Sequence, residues 1–522
     1  MYAQSLMQPV RWVVFYSQPW EVRPVKVIMR ALSGLLRRQQ REVARATRDY
    51  AAQAAVIPAE ESPFLRFANP VPQIYTHESI LGEVPETKVT TLPNGLRVAT
   101  EHQSLAKTAT VGVWIDAGSR FESDKTNGAA HFLEHMFFKG TKERSANQLE
   151  TQIEDMGAHL NAYTSREQTC YYTKIMQPNV PQAVDILSDI LQHSNLTDEA
   201  IARERQVILR EMTEIENIPD EVVLDHLHAT AFQNTPLGRT ILGPAENIQS
   251  INRQMLVDYI NNHYTGPRMV LAGAGAVDHD ELVDMAKSKF ADLPSGGIST
   301  ADLIKQEPSE FTGSEVRIRD PDSSVVNFTV AFKGAGYADA DSIPLMVMQA
   351  LLGSWDKHAS AGGHFMSTLA QRVATNELCD RYTAFNTNYS DAGLWGVSAV
   401  ADKHVDLDDL AWCIMQAISS LSYSVSEDDV IRARNQLKAN ILFSQDTTTG
   451  VCEEIGRHLL TYGRRMPKAE LFARIDAVTP EVVRAVSDRF IYDQDVAIAA
   501  MGETASLPDY TWFRRRTYWL RY

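Results

Sequence analysis

His131-Phe132-Leu133-Glu134-His135 places two imidazoles and a carboxylate within five residues. Residues four apart on a helix share a face, so His131 and His135 can converge on one metal ion. Glu134 then sits beside them, free to act as general base toward an activated water. The order is the reverse of the H-E-x-x-H zinc arrangement and uses the same parts. A catalytic zinc takes three protein ligands and keeps one position open. Thr197 followed by Asp198 and Glu199 reads as a helix start. The helix it opens carries Glu204 and Glu211, seven residues apart and so on one face, as candidates for the missing ligand. Glu221 and Asp225 follow Pro219 at a spacing of four, which can aim two carboxylates at one point. On spacing alone that pair reads as a solvated face. His159, His226 and His228 have no complete ligand set nearby and read as structural or surface residues.

These residues need rigid elements to hold them. A hairpin is expected from Lys88–Thr91, a Pro93-Asn94-Gly95 turn and Leu96–Thr100. A strand over Thr108–Asp116 should lead into a helix through His131. A strand pair is expected around Ala158–Tyr163 and Gln168–Ile175, then helices over 181–193 and 198–216. Pro294–Gly313, with Gly296, Gly297 and Pro308, is the natural linker. Beyond it the order recurs: a strand over Ser324–Phe332, then an apolar helix over Leu345–Leu352 ending at Gly353. Aligning Gly140 with Gly353 sets Pro344, Val347 and Met348 against His131, Glu134 and His135. The second half thus reads as a copy with the chemistry removed. The expected fold is α+β: two homologous repeats, each a β-sheet covered by helices. The expected divisions are a lead-in over 51–85, a catalytic zinc domain over 86–293, a linker over 294–313 and a non-catalytic repeat over 314–522.

The chain has 522 residues and a formal charge of -16. Residues 1–50 hold nine basic and three acidic residues, so the remaining 41 basic and 63 acidic residues leave the body at -22. A body so acidic argues against nucleic acid as a partner and leaves room for basic substrates. Cys170, Cys379, Cys413 and Cys452 are scattered, which excludes a disulfide framework and fits a reducing compartment. From Val27 to Arg48, Ile28, Leu32, Leu35, Leu36 and Val43 form one helical stripe, with Arg37, Arg41, Arg45 and Arg48 on another face. Such a basic amphipathic start reads as a mitochondrial transit peptide over residues 1–50, with the mature chain starting at Ala51. Residues 1–28, aromatic and containing Pro9, Pro19 and Pro24, fit that role poorly, and translation from Met29 is the better expectation.

The run from Gly128 through His131, Glu134 and His135 to Gly140-Thr141, with Glu211 lying 76 residues past His135, resembles the pitrilysin–insulysin metallopeptidase family. The resemblance covers residues from about 84 to the end. It is strongest toward the two-repeat branch that removes presequences from proteins imported into mitochondria. Leu352-Gly353-Ser354-Trp355-Asp356 and Tyr518-Trp519-Leu520-Arg521-Tyr522 are similar to that branch as well. The resemblance implies one Zn²⁺ on His131, His135 and Glu211, Glu134 as catalytic base, and Glu204 as a carboxylate behind the ligands. It implies substrate bound as an added strand along His159–Thr164, with Asn161 and Ala162 as contacts. Glu221 and Asp225 would receive the arginine just upstream of the cut in a basic presequence. Single-chain relatives carry four repeats, so a two-repeat chain implies a partner: an α subunit with a glycine-rich loop. This chain has only Ala361-Gly362-Gly363 in the corresponding region and keeps the zinc motif, so it reads as the catalytic member. In plants and algae this branch doubles as a core part of respiratory complex III, which implies other complex III subunits as partners and the matrix face of the inner membrane as location. A structural core subunit with vestigial activity and a general peptide-degrading enzyme are the alternatives.

Overall fold

The computed structural model describes residues 85–359 and 367–519. The expected transit peptide, the Met29 and Ala51 starts, nearly all of the lead-in and Ala361-Gly362-Gly363 lie outside the described residues.

Two six-stranded mixed sheets carry the chain. The first contains β1 (Thr87–Thr91), β2 (Arg97–His102), β3 (Thr108–Ile115), β4 (His159–Thr164), β5 (Thr169–Met176) and β6 (Met269–Gly275), in the order β1-β2-β6-β3-β5-β4. The second contains β7 (Ser314–Arg319), β8 (Val325–Gly334), β9 (Ser354–Asp356), β10 (Arg381–Asn388), β11 (Gly393–Asp402) and β12 (Ala497–Gly502), in the order β7-β12-β8-β11-β10-β9. Superposing β2-β6-β3-β5-β4 on β7-β12-β8-β11-β10 matches every pairing sense: one parallel pair, then antiparallel pairs throughout. The duplication expected from the sequence is therefore present in topology. The first hairpin forms as expected, antiparallel from Thr87↔Glu101 to Thr91↔Arg97.

Six helices either position the candidate residues or cover the sheets. They are α1 (Ala129–Met136), α2 (Asp198–Ile215), α3 (Pro219–Ala231), α4 (Ser342–Leu352), α5 (Glu427–Ser444) and α6 (Thr448–Thr461). The helix through His131 is only two turns long and follows a short 3-10 turn at Ser119–Phe121, rather than running directly from β3. α1 and α4 begin 213 residues apart, as the glycine alignment requires. Later strands are spaced farther apart because intervening loops lengthen. The segment expected as a linker holds a short helix, Thr300–Gln306, capped by Ser299.

A main core forms where alternating apolar residues of β3, such as Val111, Val113 and Ile115, meet Phe132, Leu133 and Met136 of α1 and the helix Val180–Gln192. The opposite face of each sheet is covered by a helix from the other half of the chain. Val451, Cys452, Ile455 and Leu459 of α6 pack on Trp114, Val270 and Ala272 of the first sheet. Val223, Leu227 and Ala231 of α3 pack on Ala331, Leu394 and Ala497 of the second. No helix of the described residues is long and apolar enough to cross a membrane.

Candidate metal centre

α1 buries all but Glu134 and His135, and the packing of Ala129, Ala130, Phe132, Leu133 and Met136 fixes a rotation that turns His131 and His135 toward α2. Gly128 enters the helix at φ 104, a conformation that favours glycine. A Cβ there would also lie 2.6 Å from the Leu242 carbonyl oxygen. α2 starts where Thr197 predicts, its hydroxyl accepting from the Ala200 amide, and it buries Ala200, Ile201, Glu204 and Ile208. The unburied flank of α2 brings Glu211 to α1.

The outcome is a convergence of three donors. Nε2 of His131 lies 3.3 Å from Oε2 of Glu211, and Nε2 of His135 lies 3.2 Å from the same oxygen. The donor atoms all fall within 4.8 Å of one another. Donors bound at zinc distances and tetrahedral angles stand roughly 3.3 Å apart, so the two contacts to Glu211 fit an ion of that size. Among the described residues this is the one such cluster of histidine, cysteine and carboxylate donors. The two imidazoles hold the Glu211 carboxyl well below the usual range. Burial alone would lower the His135 imidazole, but Glu211 and Glu204 raise it. Glu134 sits beside the donors, with Oε2 3.9 Å from His131 Nδ1 and its side chain 19% exposed.

Glu204 is buried and sits behind the donors rather than among them. Its Oε2 lies 3.4 Å from His135 Nδ1, and its Oε1 accepts from Lys139 Nζ at 3.0 Å. A Glu204 acceptor on Nδ1–H leaves Nε2 of His135 as the metal-facing nitrogen. Lys139 had no expected role, and only its position one turn past His135 could have suggested one.

β4 is the edge strand of the first sheet, hydrogen-bonded on one side to β5 from His159↔Lys174 to Thr164↔Thr169. The side chain of Asn161 folds back so that Oδ1 accepts from the Ala162 amide at 2.8 Å, and Nδ2 donates to the Tyr172 hydroxyl at 3.4 Å. In the second sheet the equivalent edge is filled, since β9 pairs with β10 over Ser354–Asp356.

Glu221 and Asp225 both lie on α3, but in different states. Asp225 Oδ1 accepts from Arg166 Nη2 at 2.7 Å, whereas Glu221 is exposed and has no charged partner among the described residues. Asp220 pairs with Arg381. Arg166, in the β4–β5 turn, carried no sequence signal because its partner is 59 residues away. His228 is structural, as expected: Nδ1 donates to the Leu224 carbonyl and Nε2 accepts from the Tyr389 hydroxyl, each at 2.7 Å. All four cysteines are free and buried.

Residues 97–245 match the family model for insulinase, peptidase family M16, and residues 250–437 match that for the M16 inactive domain. The chain belongs to the M16 peptidase family. The inactive-domain match covers α4, where Pro344, Val347 and Met348 replace the metal motif. Among M16 relatives, the probable mitochondrial-processing peptidase subunit beta of Arabidopsis thaliana is 60% identical over 459 residues, spanning 88% of this chain and 86% of that one. The mitochondrial-processing peptidase subunit beta of Bos taurus is 52% identical over 437 residues, spanning 84% and 88%. A chain of complex III2 from Candida albicans, solved with Inz-5 bound, superposes with a TM-score of 0.73 at 26% identity, covering 83% of this chain and 99% of that one.

Proposed function

We propose that this chain is the zinc-dependent catalytic β subunit of a mitochondrial processing peptidase, cutting one bond in the basic presequence of imported proteins. The observation that carries this reading is the meeting of His131 Nε2, His135 Nε2 and Glu211 Oε2 beside Glu134. The relatives' names support the processing role and a mitochondrial location; the matrix is the finer location we infer. When bound by His131, His135 and Glu211, zinc supplies Lewis acidity for the scissile carbonyl and for a water. Glu134 takes the proton from that water on its carboxylate and delivers it to the leaving amine nitrogen. The free edge of β4 offers Asn161 and Ala162 to an extended peptide, and displacement of the Asn161 oxygen uncovers the Ala162 amide. The filled edge beside β10 supports this reading, since it displays the same slot occupied by the chain's own strand. Glu221, with the free oxygen of Asp225, faces an arginine of the substrate. The partner is an α-type subunit that completes the chamber.

The test is mass spectrometry of an arginine-containing presequence peptide incubated with the chain alone, with an α-type partner, and with Glu134→Gln in the same pairing. The expected result is one cut requiring the partner, lost about 10²–10⁴-fold in Glu134→Gln while zinc stays bound. A second reading, a structural core subunit of complex III, is favoured by the likeness to the Candida albicans chain. No cut in any pairing, with zinc bound, would select it over the enzyme.

A further inference from the structure

The first amides of any helix have no partner within it. In α1 they run straight into His131, and the N-cap residue, Gly128, has no side chain with which to accept them. Glu122 does so from the preceding loop. One of its oxygens accepts from the Ala130 amide at 2.7 Å. The other accepts from the Gly128 amide at 2.9 Å and from Asn127 Nδ2 at 2.8 Å. Asn127 also donates to the Thr240 carbonyl at 2.8 Å, which ties the cap to the loop against which Gly128 packs.

Glu122 is 4% exposed. Burial pushes its carboxyl up to about 7, against the pull of the Ala130 and Gly128 amides and Asn127. A carboxylate kept in so unfavourable a place is doing more than filling space. A helix of two turns is not stable by itself. The position of this one along its axis decides where both imidazoles stand relative to Glu211, and sub-ångström errors there are felt in metal affinity.

We propose that Glu122 is a positioning residue of the metal centre, holding the first turn of α1 so that His131 and His135 present their Nε2 atoms to one ion. The inference rests on the zinc reading of that centre. In Glu122→Gln one oxygen still accepts, but an amide nitrogen now meets at least one N–H donor that the second oxygen accepted. In Glu122→Asp the carboxyl with its two acceptor oxygens returns on a shorter arm.

The test is competitive zinc titration of the purified full chain against a chelator, with thermal melting of the metal-free form alongside. Glu122→Gln is expected to weaken zinc about tenfold or more while the chain remains folded. Glu122→Asp should recover part of that loss. Asp124→Ala, on the same loop but exposed, should bind as the parent does. Asn127→Ala, which removes one donor to Glu122 and spares the carboxylate, should give a loss of a few-fold and keeps the test open if Glu122→Gln does not fold. Folded Glu122→Gln or Asn127→Ala with parental zinc affinity would overturn the proposal, and a lowered melting temperature alone would show a merely structural cap. A parent chain that binds no zinc, or binds it equally as His131→Ala, would overturn the reading of the centre itself.

Discussion

Asp225 and Glu221 are one helical turn apart, yet the same substitution should act on them through different physics. Asp225 is held by a guanidinium whose side chain is 9% exposed, so removing the carboxylate leaves Arg166 enclosed without an ionic partner. An uncompensated charge of this kind costs on the order of 1–3 kcal/mol. Glu221 is solvent-facing and its loss should cost the fold nothing measurable. Asp225→Ala should therefore lower stability by about that amount, and Glu221→Ala should not, as denaturant melts would report. In kinetics the order reverses. Glu221 has no charged partner among the described residues, so on the proposed reading Glu221→Ala should raise KM about tenfold for an arginine-containing peptide. A peptide with norleucine at that residue should be unaffected. Equal losses on both peptides would remove Glu221 from the arginine site.

At the scale of elements, the unusual feature is the exchange of α3 and α6 between the two sheets. The contact of α6 with the first sheet depends on Gly456, where a Cβ would lie 2.2 Å from Cδ2 of the buried Trp114 indole. Two effects oppose each other in Gly456→Ala. Helix propensity would add about 1 kcal/mol of stability, while overpacking a rigid aromatic costs about 1–3 kcal/mol. The distance is too short for the indole to yield cheaply, so the overlap should win and the denaturation midpoint should fall. A variant as stable as the parent would mean that α6 can slide on the sheet. This exchange also marks the limit of what the sequence discloses. The His131–His135 motif, the Thr197 cap, the Pro93-Asn94-Gly95 turn and the strand over Thr108–Asp116 are local patterns, and each appears where its pattern indicates. Glu122 on Ala130, Arg166 on Asp225 and α6 on Trp114 join distant residues through ordinary side chains with no periodicity of their own. Of the centre, the two imidazoles and Glu134 were legible from spacing. Choosing Glu211 over Glu204 was not, because both lie on one face of α2 and only packing against α1 separates them.

Across the whole molecule the two repeats are joined by polar contacts as well as by exchanged helices. Arg120, 2% exposed, bonds at 2.6 Å to Glu167 of its own half and to Asp391 of the other, and the Ser390 amide and hydroxyl close on Glu167. Each exchanged helix also buries a neutral imidazole at the junction. Burial and the charge of Arg166 hold His228 well below its ordinary value, with Asp225 and Tyr389 nearby. Burial holds His458 down likewise, reinforced by Arg465, Arg457 and Arg464, while Glu454 pairs with Arg465 on the same side. The sign follows from where the proton binds. Below about pH 6.5 an unfolded histidine takes up a proton that these two refuse in the fold, so the unfolded state gains and the fold loses stability as pH falls. One pH unit below that value each contributes about 1.4 kcal/mol of loss. Glutamine at both positions removes the titration. Melts of the metal-free chain from pH 8 to 5.5 should therefore bring the parent down toward His228→Gln/His458→Gln by about 2–3 kcal/mol, whatever gap separates them at pH 8. Parallel curves for the two proteins would mean that these imidazoles take up protons in the fold as readily as in the unfolded chain and that acid loosens the molecule elsewhere.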